Sequence, residues 1–369
     1  MNQPAFVGTI AYVARRALWL AWYNLQLIFI VYPAEGFWRV TALLNPRTWS
    51  YRRRVRAKLE GSVSHHGGTY AVFAMFREGE LSPYTLSAID SLNRLKVNII
   101  LVSNTVLTEA VQEKLRSRCR YVVIRDNIGR DFGAYKDGFS VLRETKEEIQ
   151  RLVLLNDSVV YLLDGLDEMF RQFLGDNDYA GLTEVHDRHY HVQSFLMSFG
   201  ASVLRDPRFL NYWRRYIPIG TRRWSIHKGE VGLTRMMLDC GFRPKLVASL
   251  ERLKVALEND EKTDNIPALL PDRFAPAAYQ STNPVPYVLS VFGEKNQIHV
   301  GAFLLTRYAI SPLFKRDIVA RGVYSPERLK DISGILGLDL PMLLQQQEIH
   351  QRRRHTSWIS RILFRFGSI

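Results

Sequence analysis

Residues 97–139 read VNIILVSNTVLTEAVQEKLRSRCRYVVIRDNIGRDFGAYKDGF. Val97 to Val102 is an apolar, β-branched run of strand length, and Thr108 to Arg118 carries its apolar residues at helical spacing. Tyr121 to Ile124 is a second strand-like run, and after the polar stretch Asp126 to Asp131 a helical pattern extends from about Gly133 to Ile149. The alternation continues in both directions. Upstream, a strand-length run from Tyr70 to Phe76 precedes a helix-like segment from Pro83 to Leu95; downstream, Leu152 to Leu155 is a further apolar run ending at Asn156, Asp157 and Ser158. Strand and helix alternating at this spacing predict an α/β fold, a Rossmann-type, mostly parallel sheet flanked by helices. Ligands on such sheets bind beyond the carboxyl ends of the strands, where both polar clusters fall.

In the first cluster, the backbone amides around Gly129 and the Arg130 guanidinium suit a nucleotide or its diphosphate, although a plain turn with a capping aspartate has the same composition. The GxxxxGK[ST] and GxGxxG phosphate-binding patterns are absent from it. In the second, Asp157 with Asn156 and Ser158 offers one carboxylate and two neutral oxygens, a set that suits a divalent metal (Mg or Mn) and equally an ordinary turn.

The formal charge of +14 calls for an anionic neighbour. Its distribution points to lipid. Ala17 to Tyr32 is apolar and aromatic, marginally short for a spanning helix, and lacks the cleavage pattern of a secretory signal. At the other end, Arg352, Arg353 and Arg354 precede Trp358, Ile359, Ile362, Leu363 and Phe366 at helical spacing. Both segments read as helices lying in a membrane interface, with packing on a protein core as the alternative. No groove-reading or base-stacking motif accompanies the charge, so nucleic acid is not an expected partner. Cys119 and Cys240 form no zinc-binding spacing and no disulfide framework, as befits a reducing compartment.

Together, FREGELSPY (76–84), IILVSN (99–104), DNIGRDFGAYKDGF (126–139), LLNDSV (154–159), HVQSFLMSF (191–199) and SPLFKRDIV (311–319) resemble the rhamnan-synthesis protein F family of glycosyltransferases. The resemblance spans roughly residues 69–320. It implies a GT-A-like domain using a nucleotide-diphospho-sugar donor, with Asn127, Gly129, Arg130 and Asp131 meeting the nucleotide and Asp157, beside Asn156, standing at the place of the metal-binding DxD aspartate. Asn156-Asp157-Ser158 departs from DxD by one carboxylate. Glu230 resembles by position the catalytic base at a helix start, where an acid is also favourable for the helix dipole alone. His191 and Gln193 alternate with Ser194 along an extended run, which suggests a wall of the acceptor site or a hydrogen-bonded sheet histidine. Lys315 and Arg316 are candidate phosphate ligands, acceptor contacts or surface charges.

The expected organisation is an interfacial helical segment and linker over 1–68, the transferase domain over 69–250, a loop (251–276) with mainly helical material to 345, and a basic amphipathic tail over 346–369. The expected function is transfer of a sugar, rhamnose or another deoxyhexose, to a lipid-linked or saccharide acceptor in cell-surface polysaccharide synthesis. The expected place is the cytoplasmic face of the inner membrane, peripherally bound to its anionic surface. The alternative is an inactive membrane-associated scaffold that kept the fold.

Overall fold

A computed structural model describes residues 17–77, 79–145, 148–186, 189–260, 265–339 and 341; the amphipathic tail read at 346–369 lies outside them. One mixed sheet contains β1 (Val55–Glu60), β2 (Thr69–Met75), β3 (Asn98–Ser103), β4 (Tyr121–Arg125), β5 (Arg151–Asn156), β6 (Tyr179–Gly181), β7 (Leu196–Gly200) and β8 (Lys245–Leu246). Their spatial order is β1-β4-β3-β2-β5-β7-β6-β8. The centre, β4-β3-β2-β5, is parallel throughout, whereas β1 and β7 run antiparallel to their neighbours. This is the α/β architecture expected from the strand and helix alternation.

The four central strands are apolar at nearly every position because both faces are covered. Ala71, Phe73, Ile99, Leu101, Val153 and Leu155 point to one side, with α2 (Pro83–Arg94) and α3 (Glu109–Arg116). Tyr70, Val72, Ile100, Val102, Leu152 and Leu154 point to the other, beneath α4 (Arg130–Thr145), α5 (Pro207–Arg215) and a long helix, α6, over 222–239. Close approach of α4 depends on Gly138. A Cβ there would stand 2.4 Å from a Val72 methyl. The chain steps from β2 out to β4 and then returns to the other side of β2 as β5, so the switch point lies between β2 and β5, where such sheets bind ligands.

The structure differs from the sequence expectation in three places. Residues 55–60, read as linker, form the edge strand β1, with Glu60 opposite Tyr121 and alternate residues half-buried; its interleaved Arg56, Lys58 and Glu60 hid the pattern. The segment read as a loop over 251–276 contains the helix Leu250–Glu258, started by the Ser249 side chain accepting from Arg252 N–H, and a buried Pro267–Leu269 turn. These residues share a core with the sheet and with the helices Gln297–Arg307 and Pro326–Leu336. Finally, the apolar stretch beginning at Ala17 is one helix, α1, running to Leu44, long and apolar enough by length and composition to cross a membrane. Pro33 obscured its continuation. A π-helical turn over Leu27–Val31 ends two residues before that proline and accommodates the interruption of the helical ladder.

Only one stripe of α1 touches the body. Gln26, Val31 and Glu35 are buried, and Glu35 Oε2 accepts from the Thr221 hydroxyl at 3.0 Å. Arg39 lies 5.3 Å over the Trp224 ring and Arg223 5.7 Å over Tyr32. The remaining circumference, including Trp19, Trp22, Phe29 and Phe37, is exposed.

Candidate functional site

The first polar cluster is a rigid turn held from below. Arg125, the last residue of β4, folds its guanidinium inward to Asp137 Oδ2 at 2.7 Å, to the Ile128 carbonyl at 2.5 Å and to Asn104. Arg54 grips the same carboxylate, at 3.1 Å and 2.5 Å, and also donates to the carbonyls of Arg47 and Thr48. All three charged groups are essentially inaccessible to solvent. Above them, Gly129 takes φ +82°, and a Cβ there would stand 2.3 Å from Pro218. Arg130 follows at φ +53°, a conformation uncommon for a residue with a side chain. Such outliers persist where the surroundings over-determine them. Asn127 is exposed.

The turn delivers Asp131 to the second cluster. Asn156 Nδ2 donates to Asp131 Oδ2 at 3.0 Å, while Asn156 Oδ1 accepts from Ser158 N–H and hydroxyl at 3.0 and 2.6 Å. Asp157 is buried. Its Oδ1 accepts from Phe76 N–H, at the end of β2, at 3.2 Å, and its Oδ2 lies 3.5 Å from Arg316 Nη2. Arg316 arrives from the far end of the sequence because Leu313–Lys315 pairs antiparallel with Val159–Tyr161 and Arg316 N–H bonds the Ser158 carbonyl at 3.0 Å. The structure thus gives Arg316 a partner, Asp157, that is none of the three roles read from the sequence.

Electrostatically the site is a set of crowded carboxylates among cations. Burial, then the negative field of Asp157, pushes the Asp131 carboxyl up to about 6, with Glu230 adding to the rise and Arg130 and Lys315 opposing it. Burial also raises Asp157, against Arg316 and Arg77. Arg130 is held below its ordinary value by burial, and Arg222 adds repulsion. Sequence reading missed Arg77 and Arg222 as contributors: Arg77 lay within a quoted stretch without a role, and Arg222 carried no local signal.

Glu230, His191 and Ser194 come together. Glu230 Oε1 accepts from Ser194 N–H at 3.1 Å and from its hydroxyl at 2.7 Å, and Glu230 Oε2 stands 3.7 Å from His191 Nε2. His191 Nδ1 bonds the His189 carbonyl at 2.8 Å. Two local expectations are corrected. The run 191–199 is not one strand: a turn at Ser194–Phe195 separates His191–Val192 from β7, so His191 and Ser194 meet the same carboxylate instead of opposite faces. Nor does Glu230 open a helix. The helix starts at the Thr221 cap, whose hydroxyl accepts from Trp224 N–H, and Glu230 closes a π-helical segment, Ser225–Glu230, inside α6. A π-turn of this kind frequently marks a functional position, and a first-turn dipole role does not apply to Glu230.

The donor set is poor for a resident metal. Asp157 Oδ1 accepts from Phe76 N–H, its buried Oδ2 has no hydrogen-bond partner but faces Arg316 Nη2 at 3.5 Å, Asn156 is committed to Asp131 and Ser158, and no three acidic, histidine or cysteine side chains gather suitably among the described residues.

The fold and site thus define an α/β protein with a charged site at the carboxyl-end switch point of its sheet. Residues 99–351 match the family described as rhamnan synthesis protein F, and the chain belongs to that family. Among curated proteins, the uncharacterized protein y4gN of Sinorhizobium fredii (strain NBRC 101917 / NGR234) is 29% identical over 178 residues, covering 47% of this chain and 46% of that protein. The chain therefore spans about half the length of that relative. A crystal structure from Desulfovibrio desulfuricans G20, provisionally assigned as a nucleotide-diphospho-sugar transferase, aligns over 53% of this chain and 89% of its own, at 13% identity and a TM-score of 0.28.

Proposed function

We propose that the protein transfers a sugar from a nucleotide-diphospho-sugar to a lipid-linked or saccharide acceptor during cell-surface polysaccharide synthesis, at the cytoplasmic face of the inner membrane. The observation carrying this reading is the meeting of Asp131, Asp157 and Glu230 with Arg130, Lys315 and Arg316 at one end of the sheet. Arg130, Lys315 and Arg316, with Arg77 and Arg222 nearby, supply the positive charge that a departing diphosphate needs. Glu230 takes the proton of the acceptor hydroxyl as its oxygen bonds the anomeric carbon and the bond to the diphosphate breaks. Ser194 and His191 hold that carboxylate in place. Asn127, Gly129 and Asp131 stand on the nucleotide side, and rhamnose is the first donor to try, on the family's name.

The exposed face of α1 supports peripheral attachment to an anionic membrane. A second reading, an inactive scaffold, is favoured by the Asp157–Arg316 pair, which takes up the carboxylate a metal-dependent transferase would use. Turnover separates the two. The full chain is incubated with a panel of nucleotide-diphospho-sugars and membrane-lipid acceptors, with and without chelator, and products are identified by mass spectrometry. Transfer from at least one donor, retained in chelator, is expected; a panel with neither donor binding nor product overturns the transferase reading.

A further inference from the structure

The side of α6 turned away from Glu230 borders a separate groove of about 600 Å3, shared with α5. Helical spacing puts Lys228, Gly232, Arg235, Met236 and Asp239 along the groove, whereas Glu230 and Thr234 face β7 and His191–Val192. The groove therefore belongs to different surface from the transfer site. Its floor is apolar and aromatic, with Tyr212, Trp224 and Met236, and Arg208, Arg215, Lys228 and Arg235 stand around it. Arg208 is neutralised by Asp206 at 2.7 Å, and Arg235 lies 3.9 Å from Asp239. Arg215 and Lys228 have no carboxylate within ion-pair distance among the described residues, and the Lys228 ammonium sits 6.0 Å from the Trp224 ring.

An apolar floor under a cationic rim suits an amphiphile with an anionic head. Trp224 is also the residue over which Arg39 of α1 stacks, so the groove opens beside the helix whose aromatic face is unpartnered. Charge argues against the chain's own 346–369 segment as occupant, since Arg352, Arg353, Arg354, Arg361 and Arg365 would meet a rim of like sign. We propose that this groove binds an anionic phospholipid of the bilayer, with its headgroup phosphate on Arg215 and Lys228 and an acyl chain over Tyr212, Trp224 and Met236. The inference rests on the membrane-attached reading above. Its consequence is orientation: a lipid held here and an inserted α1 fix the body about two points.

The test titrates the full chain with dihexanoyl-phosphatidylglycerol and dihexanoyl-phosphatidylcholine as monomers, for the wild type and the Arg215→Gln/Lys228→Gln variant. Co-sedimentation with phosphatidylglycerol-containing vesicles runs in parallel. Saturable binding of the anionic monomer is expected, at least tenfold weaker for the neutral one and at least tenfold weaker in the variant, whose melting temperature should be unchanged because both side chains are exposed. Equal affinity for the two headgroups, or a variant indistinguishable from wild type, overturns the groove assignment even where vesicles still capture the protein. Loss of vesicle binding with the monomer preference intact instead removes the membrane reading and leaves the lipid site standing.

Discussion

Asp131 shows how a site charge costs stability. Its folded pKa of about 6 lies above the ordinary aspartate value of 3.8, so the folded state holds a proton that the unfolded chain has released between those two pH values. Stability from this group is therefore greatest below about pH 4 and falls as pH rises through 6, by roughly 2–3 kcal/mol. Asp131→Asn should raise the melting temperature at pH 7.5, flatten the stability profile between pH 4 and 7, and impair sugar transfer. A lower melting temperature with an unchanged profile would mean that the carboxylate is a structural partner of Arg130. Asp137 is the opposite case, a carboxylate on which two buried guanidiniums depend. Asp137→Ala leaves Arg54 and Arg125 uncompensated, and urea unfolding should report a loss of about 3–5 kcal/mol; a loss under 1 kcal/mol would contradict this role. The two residues differ in legibility. Asp131 stood out because strand end, glycine and charge are adjacent in sequence, whereas Asp137 finds Arg54 across 83 positions, a separation no local pattern reports.

Among the elements, β2 to β5 were legible because strands buried on both faces leave an unbroken apolar record. β1 was not, since an edge strand with charged residues at alternate positions resembles a linker. Glu230 was read in the wrong setting, because a π-turn within a helix has no sequence signature comparable to a cap. Helix α1 was half legible: its aromatic character was plain, but Pro33 concealed its length. Its exposed apolar face yields a direct prediction. Replacing Trp22, Phe29 and Phe37 together by glutamate should abolish vesicle binding, because burial of three such side chains contributes several kcal/mol, while leaving the unfolding midpoint nearly unchanged, since all three are exposed. Unfolding or aggregation of the variant would mean instead that α1 covers protein and not lipid.

At the scale of the whole molecule, the last third of the chain completes the site. Leu313–Lys315 pairs with Val159–Tyr161 and sets Arg316 against Asp157, joining residues that sequence reading could place only in separate segments. The charged end of the sheet is therefore built from β2, β4, β5 and the strand-like segment before Arg316, while Glu230 reaches it from α6. On the function proposed above, this assembled end performs sugar transfer with Glu230 as base. With a donor that the wild type turns over, single-turnover rates and donor Kd are measured for wild type and Glu230→Gln. Glu230→Gln should lower the transfer rate at least 100-fold, about 2.7 kcal/mol of transition-state stabilisation, with donor Kd within about threefold and the melting temperature unchanged. A Glu230→Gln protein that transfers sugar at the wild-type rate would contradict that role.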